Sequence, residues 1–349
     1  MSNTPVKSMH LKPASAEQVR RTWENAYDEW GRGVLTTDDF YRREQVLAAQ
    51  DFAKRGLTVW ASVPATSPST LDLLAHLESF ERPAAVRRIN ERNVESVSCF
   101  SIGTVFCPRE KRGSGYASAL MKSIVAELRT RGALSNLYSD IGPDFYARYG
   151  WKLHSSVSVT LSLSAQLPSG HNTASPKLLR QADIPAYAEC DCRRITKSMQ
   201  ELPLSHTQAR VAILPEASVY PWHFARAQFE HDIVRGSGDL EVFGAAIDGS
   251  PESSFIVWTY DVRKSSILVL RAAVASAADL LALTKTAISV AKSNGFDAVE
   301  FWNPPYQGDL ADAGALRVVR TGSLPMLCDL NGDMGSDVQW LYNEKFAWV

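Results

Sequence analysis

The sequence predicts a mixed α/β (α+β) chain of two domains, and three observations carry that prediction. Its 349 residues exceed one typical domain. In the first half helical periodicities come first, strands follow, and the order then becomes strand, loop, helix, strand, helix, strand. The second half repeats that order loosely. Apolar residues make up 45% of the chain, enough to fill two cores.

Each element has its own local reason. Ala16–Trp30 reads as a helix, with Val19, Trp23, Ala26, Tyr27 and Trp30 on one side and Gly31 and Gly33 ending it. Thr36-Thr37-Asp38-Asp39 reads as a cap for a helix from about Phe40 to Ala53, closed by Gly56. Thr58–Val63, Leu73–Phe80 and Glu95–Phe106 read as strands. After Pro108 a polar loop leads into a helical pattern, with Leu120, Ile124 and Leu128 on one face. Gly132 stops that helix. Leu134–Ile141 is a fourth strand, Phe145–Tyr149 a short helix, and Leu153–Leu163 an alternating strand with one dry and one wet face. The composition of Leu167–Ser175 is that of a linker, so domains are expected over 1–165 and 177–349, joined by 166–176.

In the second half Ala182–Met199, Pro221–Val234 and Ala277–Ser293 carry helical patterns. Phe243–Ile247, Ser254–Tyr260, Ile267–Val274 and Ala298–Trp302 read as strands. Net charge is −1, with 37 basic and 38 acidic side chains, so no global field favours nucleic acid or an anionic membrane. No apolar run approaches the roughly 20 residues of a membrane span. Met1–Ala16 lacks a signal-peptide core, and five irregularly spaced cysteines suit a reducing compartment, so cytoplasm is the expected location. Cys190, Cys192 and His206 lack zinc spacing, and no metal site is expected.

The stretch with chemical character is Val105-Phe106-Cys107 followed by Arg112-Gly113-Ser114-Gly115-Tyr116-Ala117. A loop between a strand and a helix presents free N–H groups where the macrodipole favours an anion. Gly113 and Gly115 lack a Cβ, so a phosphate can approach the backbone closely. Gly-Lys-Ser/Thr is missing, which removes the Walker loop, and Ser118 stands where a dinucleotide loop needs its third glycine. The six residues match Arg/Gln-x-x-Gly-x-Gly/Ala, and in that respect the chain resembles the GNAT acyltransferases. The resemblance implies a GNAT fold with a mixed, splayed central sheet, followed by a second, degenerate GNAT-like domain. It also implies acetyl-CoA as acyl donor, held by Val105, Phe106, Cys107, Arg112, Gly113, Ser114, Gly115, Tyr116 and Ala117. The second half has no such loop between Val274 and Leu280, and no cofactor is expected there.

A second motif, Phe145-Tyr146-Ala147-Arg148-Tyr149-Gly150-Trp151, is similar to the GNAT segment whose tyrosine protonates the departing thiolate, and by resemblance that role falls on Tyr146. Trp30-Gly31, Tyr41-Arg42-Arg43-Glu44, Leu137–Pro143 and the closing Trp340–Val349 together resemble the fungal lysine N-acetyltransferases over nearly the whole chain. That family transfers acetyl to the side-chain amine of free lysine.

An amine must lose a proton before it attacks. His76 and Glu78 alternate with Leu77 on a candidate strand beside the loop strand and are candidate bases. Asp140 ends the strand after the cofactor helix and is a candidate for the substrate ammonium. Phe346-Ala347-Trp348-Val349 is apolar to its last residue, which suggests a docked end whose Val349 carboxylate deprotonates or positions the amine. The expected partners are acetyl-CoA and a small amine, without nucleic acid or membrane, in a monomer or homodimer. Alternatives are another acceptor (a secondary metabolite, polyamine or toxin), a protein substrate, or a non-catalytic acyl-CoA-binding module.

Overall fold

Two mixed sheets organise the computed structural model, which describes residues 9–165, 167, 176–236 and 238–349. The linker expected at 166–176 falls almost wholly outside the described residues, as do residues 1–8 of the N-terminal segment. The first half runs β1 (Met9–Pro13), α1 (Ala16–Trp30), α2 (Thr37–Ala48), α3 (Asp51–Gly56), β2 (Leu57–Pro64), β3 (Ala75–Arg87) and β4 (Glu95–Phe106). It continues with α4 (Tyr116–Arg129), β5 (Leu134–Ser139), α5 (Asp144–Ala147), β6 (Lys152–Leu153) and β7 (Val157–Ser162). The second half holds β8 (Lys177–Arg180), α6 (Ile184–Glu201), β9 (Ala209–Ile213), α7 (Val219–Arg235), β10 (Val242–Ala246), β11 (Phe255–Asp261) and β12 (Ser266–Ala273). It closes with α8 (Ala277–Ser293), β13 (Ala298–Trp302), α9 (Gln307–Asp312), β14 (Leu316–Val319), β15 (Leu324–Asp329) and β16 (Val338–Trp340).

The first sheet has the order β1-β2-β3-β4-β5-β15-β6, with β9 alongside β3 and β16 alongside β9. The second has the order β14-β7-β13-β12-β11-β10-β8. Each sheet therefore borrows from the other half of the chain. β7 pairs with β13 and β14, whereas β15 lies between β5 and β6.

That exchange divides the single strand expected over Leu153–Leu163. Its first residues join β15 and its remainder joins the second sheet. The crossing is held by Asn303, whose Oδ1 accepts from the Val157 N–H (2.8 Å) and whose Nδ2 donates to the Ser155 carbonyl (2.8 Å). Val157, Val159 and Leu161 form the dry face as expected, but Ser156 and Ser158 of the expected wet face are buried too. The helix expected over Phe40–Ala53 is also divided. Gln50 is extended, with φ −73° and ψ 148°, and its side chain caps the Val46 carbonyl at 3.1 Å. The break lets Phe52 stack on Phe80 at 5.2 Å.

Two details shape the first sheet. β4 and β5 pair in parallel only from Cys99↔Leu134 to Ile102↔Leu137, after which β4 runs on to Phe106 without β5 beside it, still paired with β3. Against β3 the register slips at the same height, with Glu78 opposite Gly103 and His76 opposite Phe106. This bulge at Gly103-Thr104 carries Thr104 at φ +49° and bends the strand away from β5. α4 then covers the sheet with Leu120, Met121, Ile124 and Leu128, all fully buried. Burial of each such side chain stabilises the fold by roughly 1.5–3 kcal/mol.

The second sheet has a similar parting. β12 and β13 pair in parallel from Ser266↔Ala298 to Val269↔Phe301 and then diverge beside a cavity of about 530 Å³. Here the Ala272 N–H donates to Glu344 Oε2 at 2.6 Å, and the buried Arg271 guanidinium bridges Glu344 and Asp191. The start of α8 is capped by its own Ser276 and carries Asp279 in the first turn.

Candidate active site

The strand–loop–helix unit places its amides at the open end of the first sheet. After β4 comes a 3-10 turn, Arg109–Lys111, then Gly113 at φ +79° and Gly115 at φ +83°. Gly115 is the N-cap of α4, and no side chain caps that helix. Nothing stands within 4 Å of the position a Cβ on Gly113 would take. N–H groups at the start of a helix whose N-cap is a glycine fit the diphosphate of a nucleotide thioester.

The basic residues brace this loop. Lys111 Nζ donates to the Leu73 carbonyl at 2.8 Å and pairs with Asp72. Arg112 donates through Nε to the Cys107 carbonyl (3.1 Å) and pairs with Glu29 of α1 (3.0 Å), 3.7 Å from which Arg109 also lies. Cys107 is half-buried and burial pushes its thiol pKa up, which suits a backbone role rather than that of a nucleophile. Gly115→Val puts a β-branched residue where the backbone is left-handed. It is expected to raise the acetyl-CoA dissociation constant about tenfold or more by calorimetry, as the first-turn amides shift.

Where β4 and β5 part, a cavity of about 200 Å³ opens beneath α1, α2 and α7. Glu78, Asp140, Tyr146 and Val349 all line it. Tyr146 sits on α5, wedged edge-on between Phe145 (5.0 Å) and Trp151 (6.5 Å). Its hydroxyl has no hydrogen-bond partner among the described residues, and burial, helped by Asp140, pushes its pKa up to about 12. Glu78 stands at the bulge, accepting from Thr104 Oγ1 at 2.9 Å. Burial and then the Glu44 carboxylate raise its pKa to about 7, so protonated and ionised forms are both accessible near neutrality. Val349 packs on Gly103: a Cβ there would lie 3.6 Å from Val349 Cγ2 and 3.7 Å from its carbonyl oxygen. Asp140 is at the mouth, where its Oδ1 accepts from the Ser323 N–H (2.7 Å).

His76 is not brought to this cavity, which corrects its candidacy as a base. Its side chain is wholly buried and stacks on Phe106 at 5.3 Å. Neither ring nitrogen has a partner among the described residues, and burial lowers its pKa to about 3, so it stays neutral and sealed off. Alternation along a strand predicts a shared face but not how deep each residue lies on it.

Other lining residues are not among the expected site residues, although Arg43, Glu44 and Trp348 lie in stretches that carry the family resemblance. Glu44 and Arg43 come from α2, Trp222 and Arg226 from α7, and Trp348 from the chain's last segment. Arg43 pairs with Glu44 (2.6 Å) and, across 187 residues, with Glu230 (2.9 Å). The Arg226–Glu230 spacing of four residues on α7 is a helical ion-pair signal readable in sequence; the contact to Arg43 is not.

The fold and this site define the class, and residues 84–154 match the family model described as an acetyltransferase (GNAT) domain. The protein is an N-acetyltransferase that takes its acyl group from acetyl-CoA. Residues 160–349 match the model of the LYC1 GNAT-like C-terminal domain, and the chain belongs to that family. A curated relative, the lysine acetyltransferase of Yarrowia lipolytica, is 26% identical over 326 residues, covering 81% of this chain and 80% of that protein. Among solved structures, a GCN5-related N-acetyltransferase from Kribbella flavida has a TM-score of 0.59 at 16% identity, covering 95% of this chain and 73% of that one. Another GCN5-related N-acetyltransferase, from Anabaena variabilis, has a TM-score of 0.56 at 12% identity, covering 93% and 73%. These two share the fold. No described helix is long and apolar enough to cross a membrane, and no cluster of metal-ligating side chains occurs among the described residues.

Proposed function

We propose that this enzyme acetylates the side-chain amine of free L-lysine by direct transfer. Residues 1–165 would hold acetyl-CoA and residues 177–349 complete the acceptor pocket. One observation carries the reading: a cavity of about 200 Å³, sized for one small molecule, is faced by both a carboxylate with a pKa of about 7 and an unpartnered phenol. The Yarrowia relative, called a lysine acetyltransferase, supports this choice of acceptor.

Acetyl-CoA supplies an acetyl thioester whose carbonyl carbon accepts the nucleophile. The amides from Arg112 to Ala117 grip its diphosphate. The Val105 and Cys107 amides, at and just past the end of β4 that β5 no longer borders, would bind the pantetheine and polarise the thioester carbonyl. Glu78 takes a proton from the acceptor ammonium, freeing the lone pair. As the C–N bond forms and the C–S bond breaks, Tyr146 gives its phenolic proton to the departing sulfur, and the second proton on the new amide nitrogen leaves through solvent and restores the phenol. The Val349 carboxylate, seated against Gly103, steers the ammonium into line, and Asp140 adds negative potential at the mouth.

The test is acetyl-CoA consumption over a panel of amino acids and polyamines, with product mass. L-Lysine modified at its side chain is the expected product. A different preferred amine reassigns the acceptor, and acetyl-CoA binding without turnover on any amine returns the chain to a binding module. Two glycines added after Val349 are expected to lower kcat/KM for the amine about 30-fold or more while leaving acetyl-CoA affinity intact. Unchanged turnover removes the terminal carboxylate from the site.

A further inference from the structure

We propose that Arg226 receives the carboxylate of the acceptor, which makes this a site for free amino acids rather than for polyamines or lysine within a protein. The proposal rests on the amino-acid reading of the acceptor given above and names the residue that enforces it.

The argument starts from charge. Three guanidiniums, of Arg43, Arg226 and Arg263, converge on the single Oε1 of Glu230, at 2.9, 3.5 and 3.4 Å. The only other carboxylate paired with this group among the described residues is Glu44, held by Arg43 at 2.6 Å. Three positive charges against two negative ones leave one cation over. Arg43 spends its fork on Glu44 and Glu230, and Arg263 also donates to the Trp30 carbonyl at 3.1 Å. Arg226 makes no hydrogen bond among the described residues and has only the long contact to Glu230.

Its surroundings keep it charged and aimed. Burial and Arg43 lower its pKa to about 10, so it is protonated at neutral pH. The guanidinium lies over the Trp348 ring, its Cζ 5.1 Å from the ring centre, which holds it by a cation–π contact. It lines the same cavity as Glu78 and Val349 but comes from α7, whereas Glu78 comes from β3. One cavity thus has acidic groups for an ammonium and a planar fork, not yet satisfied, for a carboxylate. A fork that matches a carboxylate bidentately is what arginine provides and lysine does not. A diamine would fill the cavity and leave Arg226 with only its long contact to Glu230, which penalises it beyond the loss of an attraction.

The experiment compares L-lysine with L-lysinamide, which keeps the side chain and loses the carboxylate, in the full-length protein and its Arg226→Gln variant. Wild type is expected to favour lysine by about 100-fold in kcat/KM. Arg226→Gln should erase most of that preference, chiefly by raising KM for lysine. Arg226→Lys should restore part of it through charge alone. An equal loss on both amines, or a ratio that does not move, overturns the proposal; if the Gln variant fails to fold, the Lys variant decides on the same ratio. Should lysine not be acetylated at all, that reading falls separately. The best acceptor in the panel is then compared with its amide or decarboxylated form, and the absence of any preference for a carboxylate there overturns the role of Arg226.

Discussion

Tyr146→Phe is expected to lower kcat by about 100- to 1,000-fold while acetyl-CoA affinity stays within a few-fold of wild type. The substitution removes one oxygen from a residue that is 7% exposed and packed by Phe145 and Trp151, so the fold should tolerate it. What disappears is the only proton proposed to reach the departing sulfur. Because burial holds the phenol pKa near 12, it stays protonated over the working range and should add no titration of its own. Steady-state kinetics beside calorimetry with acetyl-CoA separate the two quantities. Equal turnover in the mutant would sink the acid role.

Glu78→Gln is expected to cost about 1,000-fold in kcat/KM for the amine and to change the pH profile as well. Only the carboxylate accepts a proton, so wild-type activity should rise through about pH 7, and the amide variant should lack that limb. Stability runs the other way. The folded pKa lies above the ordinary carboxylate value, so between about pH 4.5 and 7 the folded chain holds more protons than the unfolded one. Stability falls as pH rises through that window, and Glu78→Gln should flatten the decline in a thermal-melt series. A rate loss with an unaltered pH limb would point to another base.

Local signals were legible in the sequence, and long-range ones were not. The glycine loop, α8 and β13 follow from glycine placement and periodicity within short windows, and the structure puts them where they were expected. The shortest partners, β8, β14 and β16, carry too few residues for alternation to stand out. The Leu153–Leu163 alternation was real, yet nothing in it shows that two sheets divide it. The site divides similarly. Glu78, Asp140, Tyr146 and Val349 were singled out on residue type and position and converge on one cavity. His76 shared the same argument, but Phe106 and the bulge, which no pattern announces, keep it from the opening. Arg226 becomes visible only once α2 and α7 are side by side.

The traded strands β7 and β15 mean that neither half owns a complete scaffold. Excising the thioester-binding part as a cassette would leave it without β15 along β5 and without β9 along β3. The second half therefore lends edge strands to the first sheet as well as Trp222, Arg226 and Val349 to the cavity, so destabilising substitutions in it are expected to lower turnover. Inactivating substitutions can arise far from any reacting atom, wherever the interleaved edges meet.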